Sequence, residues 1–308
     1  MSSFKTAIRL LVTNQRGLLE TVFTKLNKRG LLRWLGDTLF LRVNYYLIFG
    51  KKLNLNNPKT FSEKLQWLKL YDRKPEYIMM VDKIAVKDFI SEQIGTEYVI
   101  PTLGVWEKPE DVEWDSLPNQ FVIKWNHDSG SIVVCKDKTK FDRNAAIKKL
   151  HYGERTNGYW YGREWPYKGV KPMLFAEQYM EDETGELRDY KFFCFKGKVK
   201  ALFIAADRMK TETTRFDFFD ENYCHLPFTN GHPNAVVPPS KPVCFEQMKG
   251  LAEKLSKNIP QVRVDFYEIR GKVYFGEFTL FHWSGLMPFE PEEWDYTFGD
   301  WIEIPPKG

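Results

Sequence analysis

Two runs near the end of the chain limit the fold most: Val262-Arg263-Val264-Asp265-Phe266 and Tyr274-Phe275-Gly276-Glu277-Phe278-Thr279. Their β-branched and aromatic residues predict strands over 262–269 and 272–280, joined as a hairpin around Arg270-Gly271. Along an extended strand Arg263 and Asp265 point to one face, as do Glu277 and Thr279. Carboxylates within apolar runs are costly to bury unless a cation pairs with them. Register decides whether the two acids meet. A bare two-residue loop sets 265 opposite 276 and sends the acids to different faces. A longer loop, or a bulge, sets 265 opposite 277 and 263 opposite 279, and this second pairing is expected. Magnesium on nucleotide phosphates fits such a pair, because it takes one or two carboxylates plus phosphate oxygens. Arg263 beside them suits a phosphoryl group or an oxyanion. An arginine–carboxylate cluster without a ligand is the alternative.

Three further stretches carry cations or hinge chemistry. Phe121-Val122-Ile123-Lys124 is an apolar strand reaching a lysine, followed by the small-residue turn NHDSGS over 126–131. The Lys124 ammonium and the amides of Ser129, Gly130 and Ser131 can share phosphate oxygens. The plain alternative is a strand–turn–strand, with His127 a loop residue. Ala176-Glu177-Gln178-Tyr179-Met180 leaves a strand for an acidic linker, where free backbone groups can read an adenine edge. Asp189 and Lys191 share a strand face, the first suited to ribose hydroxyls and the second to phosphate. Asp82-Lys83-Ile84-Ala85-Val86-Lys87 puts two lysines four apart on one face of a helix predicted over 76–93. Alone, that is a solvated face.

Elsewhere, Thr60 and Glu63 read as a capping box opening the helix FSEKLQWLKLY, with Phe61, Leu65, Leu68 and Leu70 as its apolar face. Strands are expected over 98–105, 120–125, 132–135, 173–180, 189–196, 200–207 and 215–220. Helices are expected over 142–150 and 245–257, and 151–172 reads as an irregular connection. Single helices among strand meanders predict an α+β class, not a regular βαβ series. The expected divisions are a basic helical extension (1–50), a helical region (51–118), a small lobe (119–185) and a large lobe (186–308).

No apolar stretch is long enough to span a bilayer, and the N-terminus lacks the apolar core and cleavage site of a signal peptide. A cytoplasmic location is the expectation. Cys135, Cys194, Cys224 and Cys244 have no CxxC spacing, so neither a zinc site nor a redox motif is indicated. Charge is uneven. Residues 1–50 hold eight Lys and Arg against two acids, a balance of +6 in a chain of net +4. Ile8, Leu11, Leu18, Leu19, Val22, Phe23 and Leu26 recur there at helical spacing, a basic amphipathic helix or two broken near Gly30. Such a head either packs on the body or docks peripherally on an anionic inner-membrane face. Without an accompanying recognition motif it does not point to nucleic acid.

The order of these motifs resembles the ATP-grasp superfamily, and most closely its TupA-like branch, found with bacterial surface-polysaccharide and teichuronopeptide gene clusters. The phrases NPKTFSEKLQWLKLYDR, DKIAVKDFI, FVIKWNHDSGS, RDYKFFCFKGK, VRVDFY and YFGEFT carry the likeness over roughly residues 50–305. The resemblance implies ATP and Mg2+ held between two α+β lobes. Lys83 and Lys124 would contact phosphates, with the turn at Ser129, Gly130 and Ser131 closing over them. Glu177, Gln178, Tyr179 and Met180 would meet adenine, Asp189 ribose and Lys191 phosphate. Asp265 and Glu277 would hold magnesium, and Arg263 would be catalytic. The superfamily usually has Asn where Thr279 stands; threonine still offers an oxygen to the metal. Arg208 and Arg215 are candidates for the γ-phosphate or the acid, and His282 for a substrate contact. The turn over 125–131 and the stretch 151–172 are the lid candidates.

The implied reaction is ATP-dependent ligation of a carboxylate, such as a sugar acid, to an amino acid or small amine through an acyl-phosphate. A glycosyltransferase of capsule or O-antigen assembly would need a metal-binding Asp-x-Asp, which 111–113 and 265–267 do not supply. A non-catalytic ATP-binding scaffold would have no physical use for Lys124, Arg263, Asp265 and Glu277 together.

Overall fold

The hairpin forms, and a bulge sets its register. The computed structural model describes residues 15–128, 130–183, 185, 187–206 and 214–307. Arg270 and Gly271, with φ of 51° and 72°, make a two-residue turn joining Ile269 to Lys272. Positive φ at both positions matches the twist of the flanking strands. One extra residue, Gly276, then shifts the pairing, so that Asp265 faces Glu277 and Arg263 faces Thr279. A Cβ at Gly276 would lie 3.1 Å from the Asp265 carbonyl oxygen, so glycine suits the bulge.

Ahead of the sheets, α1 (Gln15–Lys28) and α2 (Asp37–Phe49) are separated by a turn at Gly30, where φ is 76°. α1 packs inward: the rings of Phe23 and Phe40 are 5.2 Å apart. Asn27 Nδ2 donates to the carbonyls of Trp160 and Tyr161 at 2.9 and 3.3 Å. Leu18, Leu19, Val22 and Trp34 stay exposed. Residues 1–14, with Ile8 and Leu11, lie outside the described residues. No described helix is long and apolar enough to cross a membrane.

α3 (Phe61–Tyr71) opens on the capping box of Thr60 and Glu63. It buries Phe61, Leu65, Trp67 and Leu68, but also Ser62, Gln66 and Lys69. The single helix predicted over 76–93 is instead two, α4 (Glu76–Val81) and α5 (Ala85–Ile94). Asp82 breaks it. Its Oδ1 accepts from the backbone N–H of Ile84 (2.9 Å) and Ala85 (3.2 Å), capping a fresh helix. The Lys83 N–H goes to the carbonyl of Asn126 at 3.2 Å.

The first sheet holds β1 (Thr102–Trp106), β2 (Phe121–Trp125), β3 (Val133–Cys135) and β4 (Leu174–Gln178) in the order β1-β4-β2-β3, antiparallel throughout. The strand expected from 98 starts only at Thr102, because Thr96–Tyr98 forms a 3-10 turn. Phe121, Ile123, Trp125, Leu174 and Ala176 build this lobe's core with Ala146 and Leu150 of α6 (Arg143–Glu154). The stretch after α6 is partly regular, with α7 (Gly158–Gly162) and a 3-10 turn at Trp165–Gly169.

The second sheet holds β5 (Asp189–Phe195), β6 (Lys198–Ala206), β7 (Arg215–Asp220), β8 (His225–Leu226), β10 (Val262–Ile269) and β11 (Lys272–Thr279), ordered β11-β10-β5-β6-β7-β8. A short pair, β9 (Thr229–Asn230) with β12 (Phe289–Glu290), lies beside it. α8 (Phe245–Leu255) covers its apolar back, with the rings of Phe192 and Phe245 6.0 Å apart. α9 (Glu293–Asp300) packs against α3 near the C-terminus.

Candidate active site

The front of the second sheet gathers its charges by register alone. Lys191 pairs with Asp265, Asp265 with Glu277, and Asp189 with Tyr267. Residues directly opposite on neighbouring strands share a face. Asp265 is fully buried and receives both arms of Arg263, Nε to Oδ1 at 2.7 Å and Nη2 to Oδ2 at 2.8 Å. Lys191 also donates to Asp265 and stands 3.5 Å from Asp189 Oδ1. Arg263 Nη2 lies 3.4 Å from Glu277 Oε1. Glu277 keeps 36% of its side chain accessible at the cleft. Burial alone would raise its carboxyl, but Lys83, then Lys191 and Arg263, hold it at about 2.

Behind Arg263 stands His282, only 3% exposed. Arginine can only donate, so His282 Nδ1 accepts from Arg263 Nη1 at 2.8 Å, and the Nε2–H donates to Asn230 Oδ1 at 3.0 Å. Asn230 Nδ2 donates to the carbonyls of Met287 and Pro288, which fixes its orientation. Burial, then Arg263 and Lys191, push the imidazole well below its ordinary range, so it stays neutral. His282 therefore holds Arg263 and does not line the cleft for a substrate.

The first sheet, through Lys124, and the helices beside it, through Lys83 and Lys87, supply the opposing cations. Glu177, 7% exposed, accepts from Lys87 Nζ at 2.7 Å and Lys124 Nζ at 2.5 Å. Burial raises its carboxyl, and Lys124 and Lys87 together bring it below the usual range. Lys83 Nζ donates to the Asp128 carbonyl at 2.6 Å and reaches to 3.9 Å from Glu277 Oε2. Burial lowers Lys83, with Glu277 acting against it. Lysines from early in the chain thus face the acidic hairpin across one cleft.

Other expected residues are placed differently. Ser129 and Arg208 lie outside the described residues. Ser131 is buried and its hydroxyl goes to Asp128 Oδ2 at 2.6 Å, so it ties the turn together instead of facing the cleft. The Gln178 N–H goes to the Pro101 carbonyl at 3.0 Å, which removes one hinge donor from the adenine reading. The Tyr179 hydroxyl turns to Glu181 at 2.8 Å. Gln178 and Met180 line a cavity of about 530 Å³ at the hairpin tip, with Pro101, Val273 and Tyr274. Arg215 opens β7, three strands from β10.

Lys69 and Glu164 carried no signal in the sequence. Lys69 is fully buried, and its Nζ donates to Gln66 Oε1 (3.0 Å), Gly162 O (2.7 Å) and both oxygens of Ser284 (2.6 and 2.8 Å). Glu164 sits nearby, its carboxyl raised by burial with Lys69 acting against that.

Among the described residues, no group of three or more His, Cys, Asp or Glu could enclose a metal ion. Asp265 and Glu277 are two hard oxygen donors on one face, with Glu277 open to the cleft. Magnesium takes one or two carboxylates with phosphate oxygens and water, so it would meet Glu277 first and take Asp265 only in exchange for Arg263 and Lys191. Thr279 lies half-buried opposite Arg263.

Two antiparallel sheets, one bearing Lys124 and the other a paired Asp and Glu, form the ATP-grasp fold. The chain belongs to the TupA-like ATPgrasp family, whose model matches residues 63–303. No curated protein matches it in sequence. Among solved structures it is similar to D-alanine–D-alanine ligase from Helicobacter pylori, at 13% identity and a TM-score of 0.43, over 79% of this chain and 69% of that one. It is also similar to the ATP-bound D-alanine–D-alanine ligase from Bacillus anthracis, at 13% identity and a TM-score of 0.39. There the match covers 66% of this chain, which spans only 54% of the ligase. A RimK domain ATP-grasp protein from Sphaerobacter thermophilus gives 11% identity and a TM-score of 0.42, over 75% and 70% of the two chains.

Proposed function

We propose that the chain is an ATP- and Mg2+-dependent carboxylate–amine ligase of bacterial surface-polysaccharide biosynthesis, joining a sugar acid to an amino acid or small amine. The observation that carries the reading is the 3.9 Å approach of Lys83 to Glu277 across the cleft, with Lys124 and Arg263 beside it. Nothing in a packed core calls for such a cluster, since buried ion pairs are weak contributors to stability.

Asp265 and Glu277 would hold magnesium, which offsets charge on the γ-phosphoryl during transfer. Lys83, from the break between α4 and α5, and Lys124, from β2, bind phosphate oxygens, exchanging Glu277 and Glu177 for them. Asp189 and Lys191 take ribose and phosphate, and the cavity beside Gln178 and Met180 takes adenine. Arg263, fixed by Asp265 and His282, presents a guanidinium to the attacking carboxylate and then to the oxyanion formed as the amine adds. Thr279 lies where it can add an oxygen to the metal. The turn over 125–131 and the stretch 151–172 shield the acyl-phosphate from water. The head, basic and with Leu19 and Trp34 exposed, suits a peripheral contact with an anionic inner-membrane face. Co-sedimentation with anionic but not neutral vesicles tests that contact; equal sedimentation refutes it.

A thermal-shift comparison tests the nucleotide reading. ATP with Mg2+ raises the melting temperature and UDP-sugars leave it unchanged. A shift with a UDP-sugar alone would favour a glycosyltransferase, and no shift with either would favour a scaffold.

A further inference from the structure

Beside Asp128 and Gly130 lies a cavity of about 500 Å³. Its walls include Lys28 at the end of α1, Tyr161 of α7, and Asp128, Tyr152, Glu164 and Tyr167. The cavity adjoins the reacting centre. Arg263 is within electrostatic reach of both Glu164 and Tyr167, and Glu277 of Tyr167. Lys83 holds the backbone of Asp128.

Its charge is opposite to that of the nucleotide side. There five cations, Lys83, Lys87, Lys124, Lys191 and Arg263, stand among Glu177, Asp189, Asp265 and Glu277, whereas this cavity sets Asp128 and Glu164 against Lys28, with His127 and three tyrosine rings. The Asp128 carboxylate is not fully used by the fold. Asp128 Oδ2 accepts from Ser131, but Oδ1 is buried with no hydrogen-bond partner among the described residues. Glu164 lies at the same wall, its carboxyl raised by burial, with Lys69, a Ser284 hydrogen bond and Arg263 acting against that. Free carboxylate oxygens beside aromatic faces select a cation. A phosphate or a second carboxylate would be repelled. Lys28 supplies one positive group at the rim.

We infer that this cavity is the acceptor subsite and binds an α-amino acid, its ammonium between Asp128 and Glu164 and its carboxylate toward Lys28. The inference rests on the ligase reading and gives that reaction its amine. It also gives α1 a use: Asn27 anchors the helix to α7, which brings Lys28 to the rim.

The test separates the two half-reactions. The full chain is given ATP, Mg2+ and a panel of sugar acids, with either hydroxylamine or the amino acids and their decarboxylated amines as nucleophile. Hydroxylamine is small and uncharged at pH 8, so hydroxamate reports activation of the acid without a filled ammonium site. Glu164→Gln lowers the ratio of amide to hydroxamate about tenfold, the loss expected for one charge-assisted hydrogen bond. Lys28→Ala, at an exposed position that cannot unfold the chain, raises the KM of amino acids relative to their decarboxylated amines about threefold, as for a rim ion pair. Wild-type ratios in both variants would overturn the subsite and leave the ligase reading standing. No hydroxamate from the wild type with any acid would overturn both.

Discussion

Lys83 and Glu277 stand 3.9 Å apart, one from the break between α4 and α5 and the other from β11. Each has a second neighbour, Lys83 the Asp128 carbonyl and Glu277 the guanidinium of Arg263. An ion pair that is largely buried, with Lys83 15% and Glu277 36% exposed, contributes little net stability and can be exchanged for phosphate oxygens.

Glu177 has two lysines, and that redundancy predicts an asymmetric response. Lys124→Met leaves the carboxylate paired with Lys87, so unfolding by denaturant shifts by only about 1 kcal/mol, while ATP affinity falls about tenfold. Removing Lys87 as well leaves a buried carboxylate unpaired and costs about 3–5 kcal/mol. Equal stability of the single and double variants would contradict this.

His282 acts through Arg263. His282→Ala is expected to lower kcat about tenfold by letting the guanidinium drift, with the KM for ATP changed by less than about twofold. His282→Gln, which keeps an acceptor, recovers part of the loss. Because the ring is neutral throughout the working range, the wild type shows no step at the histidine pKa between pH 5 and 8 that the variant lacks.

Asp295 predicts a pH dependence away from the site. It is 4% exposed and accepts from the Ser62 N–H and hydroxyl at 2.8 and 3.0 Å. Burial raises its carboxyl from 3.8 to about 6, with the Ser62 donors pulling the other way. Between those values the native state holds a proton that the unfolded chain has released, so stability falls as pH rises through the window and levels off above about 6. Denaturant unfolding of wild type and Asp295→Asn should show the wild type losing about 2–3 kcal/mol relative to the variant from pH 4 to 7. A constant difference would rule the assignment out.

The hairpin was legible because its alternation is strict and its two acids have no reason to lie in apolar strands without a partner. Its register was legible, with a longer turn and a bulge left as the two ways to reach it, and the bulge at Gly276 is the one that forms. The break at Asp82 was hidden because 76–93 keeps helical spacing across it; an aspartate two and three residues before backbone donors was the signal. Lys69 had none. It reads as the polar side of an amphipathic helix, and its acceptors Gly162 and Ser284 lie 93 and 215 residues away. No local pattern encodes such distant partners. The same holds for Glu164 and for His282, whose position behind Arg263 depends on the turn after β11.

The most direct measurement is phosphate release from ATP by Glu277→Gln beside the wild type, over the same panel of sugar acids and amines. Glutamine keeps the side chain's shape but removes the charge that faces Lys83 and Arg263. The account predicts acid-dependent release by the wild type, and release at least about a hundredfold slower in a variant with an unchanged melting temperature. Full-rate release by that variant would contradict it.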